Sequence, residues 1–292
     1  MNKICLSGTV FRLESMNMIR PVALITWATI LVSVAASSAQ TAVPPVTLSD
    51  TEQRTITSSK IGQRYDLFIS LPESYTNSNR SYPVLYVLDG WHFPLMAFLQ
   101  GNNIYSKRMP AVIIVNVSHG ETDAMTLRAR DFTPTRTTEA PNSGGAPAFL
   151  DFLEQELIPF IDHTYRTDTS DRGLLGHSLG GLFAIYALEQ RPALFQRIVA
   201  ASPALTWDNG RMLTEARRAL RGLSSPVRFD LSVGSADELG FAKPTTKFAR
   251  ILGQLKPAGL DYRFTVYQGE NHNSVRTLSF PAGLYWVYRP AK

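Results

Sequence analysis

Hydrophobic and polar positions along the chain fall into two patterns. Near the start, Tyr65, Leu67 and Ile69 alternate with Asp66, Phe68 and Ser70. A period of two marks a strand with one face buried. Together with Thr51 to Lys60, the stretch Gln63 to Leu71 predicts an antiparallel pair, stopped by Pro72. Val84-Leu85-Tyr86-Val87-Leu88 then has no charged or amide position, and Ala111 to Val117 repeats the buried-strand signature with Asn116 as its one polar residue. Unbroken apolar runs are expected of strands covered on both faces. Between these two runs, Pro94 to Leu99 predicts a short helix. From Ser118 to about Gly145 the chain is rich in Thr, Arg and Pro and shows no period, so it reads as one long irregular loop. Loops of that length are uncommon and usually functional.

Periodicity returns at Ala146 to Ile161, where Phe149, Phe152, Leu153, Leu157 and Phe160–Ile161 give the stripe of an amphipathic helix. A short apolar strand over Arg172 to Gly176 and a helix from Leu179 to Gln190 follow. Further strands are predicted at Arg197 to Ala201, Val227 to Val233 and Tyr262 to Tyr267. Helices are predicted at Met212 to Leu223, Thr245 to Leu255 and Ser274 to Tyr288, with Pro281-Ala282-Gly283 a potential break in the last. After the first antiparallel pair, strands and helices alternate. That order predicts an α/β fold, a mainly parallel sheet with helices on both faces. Ligands on such sheets bind at the carboxyl ends of the strands.

The first residues do not fit this pattern. Arg20 precedes an uncharged apolar run, Pro21 to Ala36, and Ser37-Ser38-Ala39 supplies small residues before a cut ahead of Gln40. Residues 1–39 therefore read as a signal peptide, with Met16 or Met18 as alternative starts. The run is short of the ~20 residues a spanning helix takes, so no stable membrane insertion is expected after cleavage; an uncleaved anchor is the alternative. Residues 40–50 read as a lead-in linker and 51–292 as one domain. A bacterial periplasmic or secreted location follows. The only cysteine, Cys5, leaves with the leader, and with it any disulfide, thiol nucleophile or Cys-based metal site. The leader also carries Lys3, Arg12, Arg20 and Glu14, so its loss lowers the formal charge from +5 to +3. The remaining charges form no basic run, which argues against nucleic acid as a partner.

The candidate chemistry sits at Gly176-His177-Ser178-Leu179-Gly180, between a strand and a helix. In that context Gly-x-Ser-x-Gly reads as a sharp turn that exposes a serine hydroxyl at its apex. Gly176 and Gly180 are expected to remove side chains that would collide there, and the N–H of Leu179 to point where an oxyanion would form. A serine hydroxyl needs a base to take its proton. Of the histidines, His92, His119 and His163 precede the serine and His177 adjoins it. His272, in the loop after the last strand, is the only one that follows. In this architecture the order is Ser, acid, His. The acid is expected in Gly234-Ser235-Ala236-Asp237-Glu238; Asp237 is favoured, but spacing does not choose between it and Glu238. The second oxyanion donor is expected from the turn after Leu88, where Gly90 allows close approach, with the N–H of Trp91 as the candidate. Asp89 reads as a residue that fixes this turn. No metal and no organic cofactor are implied, because no His-Glu-x-x-His, phosphate loop or dinucleotide fingerprint is present.

With these motifs assembled, the chain resembles the putative-esterase branch of the α/β-hydrolases, which includes siderophore esterases, S-formylglutathione hydrolases, feruloyl esterases and mycolyltransferases. The resemblance runs from about Arg64 to Tyr288. It rests on Tyr82–Gly90, on Gly176–Gly181, on Ser202-Pro203 and on Gly269-Glu270-Asn271-His272. It implies a single α/β-hydrolase domain that cleaves a carboxylic ester of a small molecule through an acyl-enzyme. In the family the acid commonly sits where Asp237 stands; some members have a Glu where Glu238 stands. Arg128-Ala129-Arg130-Asp131-Phe132-Thr133-Pro134-Thr135 is similar to a siderophore-esterase segment. Arg130 is expected either to hold an anionic part of the substrate or, with Asp131, to pin the loop. Trp91 and Trp207 are candidates for an aromatic wall, with simple packing as the alternative for Trp207. An acyltransferase with the same triad, a peptidase and a non-catalytic binding protein on this fold are the alternatives. Acyl group, alcohol and oligomeric state are not legible.

Overall fold

Val84–Leu88 is apolar throughout because both of its sides are covered. The computed structural model describes residues 47–120 and 122–290. In it, Val84, Tyr86 and Leu88 point into one core with Phe149, Leu182 and Phe183, whereas Leu85 and Val87 point into a second with Met96, Leu99, Phe280 and Leu284. The strand that carries them is one of eight: β1 (Thr51–Thr57), β2 (Arg64–Ser70), β3 (Tyr82–Leu88), β4 (Ile113–Ser118), β5 (Thr167–His177), β6 (Arg197–Ala201), β7 (Val227–Gly234) and β8 (Leu260–Tyr267). Their order in the sheet is β1-β2-β4-β3-β5-β6-β7-β8. β1 and β2 pair antiparallel, as do β2 and β4, with Leu67 opposite Val117; all other pairs are parallel.

Helices lie on both faces. α1 (Phe93–Ser106) and α8 (Val275–Val287) cover the smaller core. α3 (Ala146–Phe152), α4 (Ile158–Thr164), α5 (Leu179–Gln190), α6 (Trp207–Leu220) and α7 (Ala242–Leu255) cover the larger one. α3 and α4 continue one into the other through a widened turn, Leu153–Leu157. Pro159, just beyond that turn, has no N–H for the carbonyl four residues back, which is a known cause of such local changes in a helix. Pro281 does not break α8: the helix runs through it, at the loss of one backbone hydrogen bond to Thr277. Among the described residues no helix is long and apolar enough to cross a membrane. The expected signal peptide, 1–39, and the first part of the lead-in lie outside the described residues.

One expectation needs correcting. The 118–145 stretch is not a structureless loop but contains a further helix, α2 (Ala124–Phe132). Its buried positions are Arg128, Asp131 and Phe132, spaced i, i+3 and i+4 on one face. Two of the three are charged, so a helical period exists but is not a hydrophobic one. With six adjacent strands parallel, the carboxyl ends of β3 to β8 gather Asp89, Ser178, Ser202, Asp237 and the 268–272 loop along one edge of the sheet.

Candidate active site

At the end of β5 the chain reverses into α5, with Ser178 at the apex, φ 61° and ψ −119°. This is a costly backbone state for a non-glycine residue and persists only where its surroundings over-determine it. Three backbone hydrogen bonds do so: Ser178 N–H to the Ala201 carbonyl at 3.0 Å, and the Ser178 carbonyl accepting from Leu182 at 2.9 Å and Ala204 at 3.0 Å. Any side chain at Gly176 would stand 2.1 Å from the Gly180 carbonyl oxygen, so only glycine fits there. Gly180 differs from expectation. A Cβ on it would meet only ordinary contacts, 3.4 Å from Leu88 and 3.5 Å from Asp89.

His272 is held from three sides. Its Nδ1 lies 2.9 Å from Asp237 Oδ2, its N–H donates to Glu238 Oε2 at 3.0 Å, and its carbonyl oxygen lies 2.8 Å from His177 Nε2. The two imidazole rings are 4.4 Å apart, and Phe241 meets His272 edge-on at 5.2 Å. Burial, with His272 and His92 nearby, holds His177 well below the ordinary imidazole range. His177 is thus neutral, with an N–H to give to that carbonyl. His177, the residue before Ser178, is thus the side chain that ties the His272 loop to the end of β5. His272 Nε2 makes no hydrogen bond among the described residues, which leaves it open to a hydroxyl.

Asp237 and Glu238, which spacing did not separate, have different partners. The buried Asp237 faces the imidazole with Oδ2, while its Oδ1 accepts from Leu239 N–H at 3.1 Å. Glu238 is exposed and reaches the His272 backbone instead.

The Asp89–Trp91 turn lies across from the elbow. A side chain on Gly90 would stand 2.5 Å from Ser118 Cβ, so the turn lies against the end of β4. Asp89 is buried at φ 72°, ψ 112°. Its Oδ1 accepts from Arg128 Nε at 2.7 Å, and Arg128 Nη2 donates to the His177 carbonyl at 3.0 Å. Neither the Trp91 N–H nor the Leu179 N–H has an acceptor among the described residues. Trp91 is 47% exposed, with Arg128 5.4 Å from its ring centroid. A cleft of about 820 Å³ opens beside it, lined by Gln53, Phe68, Gly90, Trp91, Ser118 and Ala124.

Arg130 lies on another side of α2. Nε and Nη2 form a two-pronged pair with Asp131 at 2.6 and 3.0 Å, and Asp131 also takes the Tyr65 hydroxyl at 2.6 Å and lies 3.0 Å from His119 Nε2. The Arg130 side chain is 27% exposed and borders a cleft of about 430 Å³ with Leu127, Arg136, Asn142 and Ser143. Trp207 donates Nε1–H to the Thr135 carbonyl at 3.1 Å, and so ties down the segment after α2. A further cleft, of about 670 Å³, lies at the amino ends of β6 to β8 around Arg197 and Arg228 and contains none of these residues.

Comparison with known proteins gives a consistent result. The family model described as "Putative esterase" matches residues 58–282. The ferri-bacillibactin esterase BesA of Bacillus subtilis is 28% identical over 265 residues, 84% of this chain and 91% of that one. The siderophore enterobactin esterase of Emericella nidulans is 31% identical over 200 residues, 60% of this chain and 66% of its own. The crystal structure of an IroE-like serine hydrolase from Shewanella oneidensis superposes with a TM-score of 0.75 at 30% identity, covering 82% of this chain and 80% of that one.

Proposed function

The chain belongs to the putative-esterase family and is a serine hydrolase acting on ester bonds; from that premise we propose that Ser178, His272 and Asp237 form its catalytic triad and that its substrate is a siderophore-type carboxylic ester. The observation that carries the reading is the Asp237–His272 pair at 2.9 Å, tied through the His272 carbonyl to His177, the residue that precedes a serine at φ 61°. In the proposed cycle, His272 Nε2 takes the Ser178 proton as the oxygen attacks the ester carbonyl. Asp237 keeps the imidazole in the tautomer with Nδ1–H and stabilises the imidazolium. The Leu179 and Trp91 N–H groups receive the developing oxyanion. His272 then protonates the departing alcohol, leaving an acyl-Ser178. A water, deprotonated by the same imidazole, releases the acid and restores the serine.

The half-exposed Trp91 ring offers an apolar face to the acyl or alcohol part. Arg130 keeps an edge on its cleft beyond the Asp131 pair and holds an anionic part of the substrate. The two relatives named for esterase activity on ferri-bacillibactin and enterobactin support the substrate class. The apolar run after Arg20 and the small residues at 37–39 support export; a mature N-terminus at Gln40 in the exported fraction is the expected result, and an intact N-terminus in the cytosol counts against it.

The test compares wild type, Ser178→Ala and Arg130→Met on a neutral p-nitrophenyl ester and on a catecholate trilactone. Ser178→Ala should lower kcat on both by about 10⁴-fold or more. Arg130→Met should raise KM for the trilactone alone. Full activity in Ser178→Ala contradicts the triad; an unchanged trilactone KM contradicts the Arg130 role.

A further inference from the structure

Two turns of the site hold non-glycine residues at positive φ, Asp89 at 72° and Ser178 at 61°. Ser178 immediately precedes Leu179, and Asp89 lies two residues before Trp91, the two N–H groups assigned above to the oxyanion. The two turns come from segments far apart in the chain, and one side chain touches both. Arg128 Nε is 2.7 Å from Asp89 Oδ1, and Arg128 Nη2 is 3.0 Å from the carbonyl oxygen of His177, the residue before Ser178. The Arg128 side chain is 5% exposed, and its guanidinium lies near the Trp91 ring, 5.4 Å from its centroid. We propose that Arg128 is a positioning residue whose planar fork sets the separation of the Asp89–Trp91 turn and the Ser178 elbow, and so of the two oxyanion donors. The proposal rests on the esterase reading and extends it to a residue that does not touch the reacting atoms.

Three considerations favour positioning over simple stabilisation. A buried ion pair is weak evidence for stability, since apolar replacements of similar volume often do as well. What an apolar pair cannot supply is a fixed fork with two acceptors on different segments. Asp89 also has few other restraints: its carbonyl accepts from His92 N–H at 3.1 Å and from Asn116 Nδ2 at 3.4 Å, and its Oδ2 is buried without a partner. A strained turn with so few ties needs an external hold. Finally, Arg128 is itself fixed at its base. One helical turn on, Asp131 anchors α2 through Tyr65 and His119, so the strut starts from a rigid element.

The experiment uses the full-length protein and four variants: Ser178→Ala, Arg128→Lys, Arg128→Met, and the double variant Arg128→Met with Asp89→Asn, which removes the pair without leaving a buried charge. For wild type and the three Arg128 variants, kcat is normalised to the fraction of sites that a fluorophosphonate labels at completion, with Ser178→Ala as the unlabelled control. The inhibition constant of an alkylboronic acid, which forms a tetrahedral adduct on a serine, is measured in parallel. Loss of one oxyanion donor costs about 10²–10³-fold in kcat, so displacing one should cost about 10–100-fold per labelled site, with KM within about threefold. Boronate binding should weaken by a similar factor. Arg128→Lys should recover part of the loss and the double variant none. Unchanged kcat per labelled site, or lost kcat with unchanged boronate affinity, overturns the positioning role and leaves the esterase reading intact. Wild-type activity in Ser178→Ala overturns both.

Discussion

Asp237 and Glu238 are adjacent acids with opposite surroundings, and the difference sets what each can do for His272. Asp237 is buried, accepts Leu239 N–H with one oxygen and faces the imidazole with the other. Glu238 is exposed; the His272 backbone N–H it accepts holds its carboxylate below the ordinary range. If Asp237 orients the imidazole, Asp237→Asn should lower kcat by about 10⁴-fold, because an amide favours the wrong tautomer. Glu238→Gln keeps an oxygen for the His272 N–H and should cost less than about tenfold. Steady-state kinetics of the two variants separate them, and the reverse ranking would transfer the role to Glu238. His92 illustrates the same dependence on surroundings. Burial, aided by Arg276 and Arg128, lowers its pKa to about 3, so it is a neutral ring packed on Phe280 rather than a proton carrier.

At the scale of elements, α2 decides how the site is held. Its hydrophobic pattern is poor because two of its inward positions are ionic: Arg128 faces the strained turns, and Asp131 faces β2 and β4. Burial by itself would raise the Asp131 carboxyl, but hydrogen bonds from His119, Arg130 and Tyr65 together hold it below the usual carboxylate range. Tyr65 in turn is pushed up by burial and by the Asp131 charge, which keeps its hydroxyl a donor. Deleting one member of such a buried network leaves the others unpaired. Asp131→Ala should therefore destabilise by about 3–5 kcal/mol. Arg191→Ala, which removes an exposed pair with Glu154 and Asp151, should cost less than about 1 kcal/mol. Urea denaturation of the two variants checks the contrast; equal costs would mean that Asp131 does not anchor α2.

At the scale of the whole molecule, a parallel sheet places the strand-end loops of the site on one edge, and a carboxyl away from that edge makes stability depend on pH. Glu189, on α5, has a buried Oε1 with no partner. Burial, reinforced by the Glu215 charge, raises its pKa from 4.5 to about 8. Below pH 4.5 the carboxyl is neutral folded and unfolded, so ionisation costs nothing. Between 4.5 and 8 the unfolded chain ionises while the folded one stays neutral, so this group's contribution falls steadily as pH rises and levels off above 8. Glu189→Gln should thus gain stability over wild type progressively from pH 5 to pH 8 in urea titrations. Parallel wild-type and variant curves would show that Glu189 ionises normally in the folded protein.

Much of this arrangement is legible in the chain itself, where the signal is local. Apolar runs at Val84–Leu88 and Ala111–Val117, the second interrupted only by Asn116, mark strands covered on both faces because each apolar residue there reports its own burial. The elbow reads from five consecutive residues, since Gly176 is required by contacts within the same turn. What stayed closed was whatever depends on partners distant in sequence. α2 is not legible in hydropathy because its buried charges pair with Asp89 after β3, His119 after β4 and Tyr65 in β2, and hydropathy records no partner. The choice between Asp237 and Glu238 turns on how the loop after β7 meets the loop after β8, which spacing along one chain does not contain. Arg128 reaches acceptors 39 and 49 residues away. Only folding brings two strained turns to one guanidinium, so its place was decided by the tertiary structure alone.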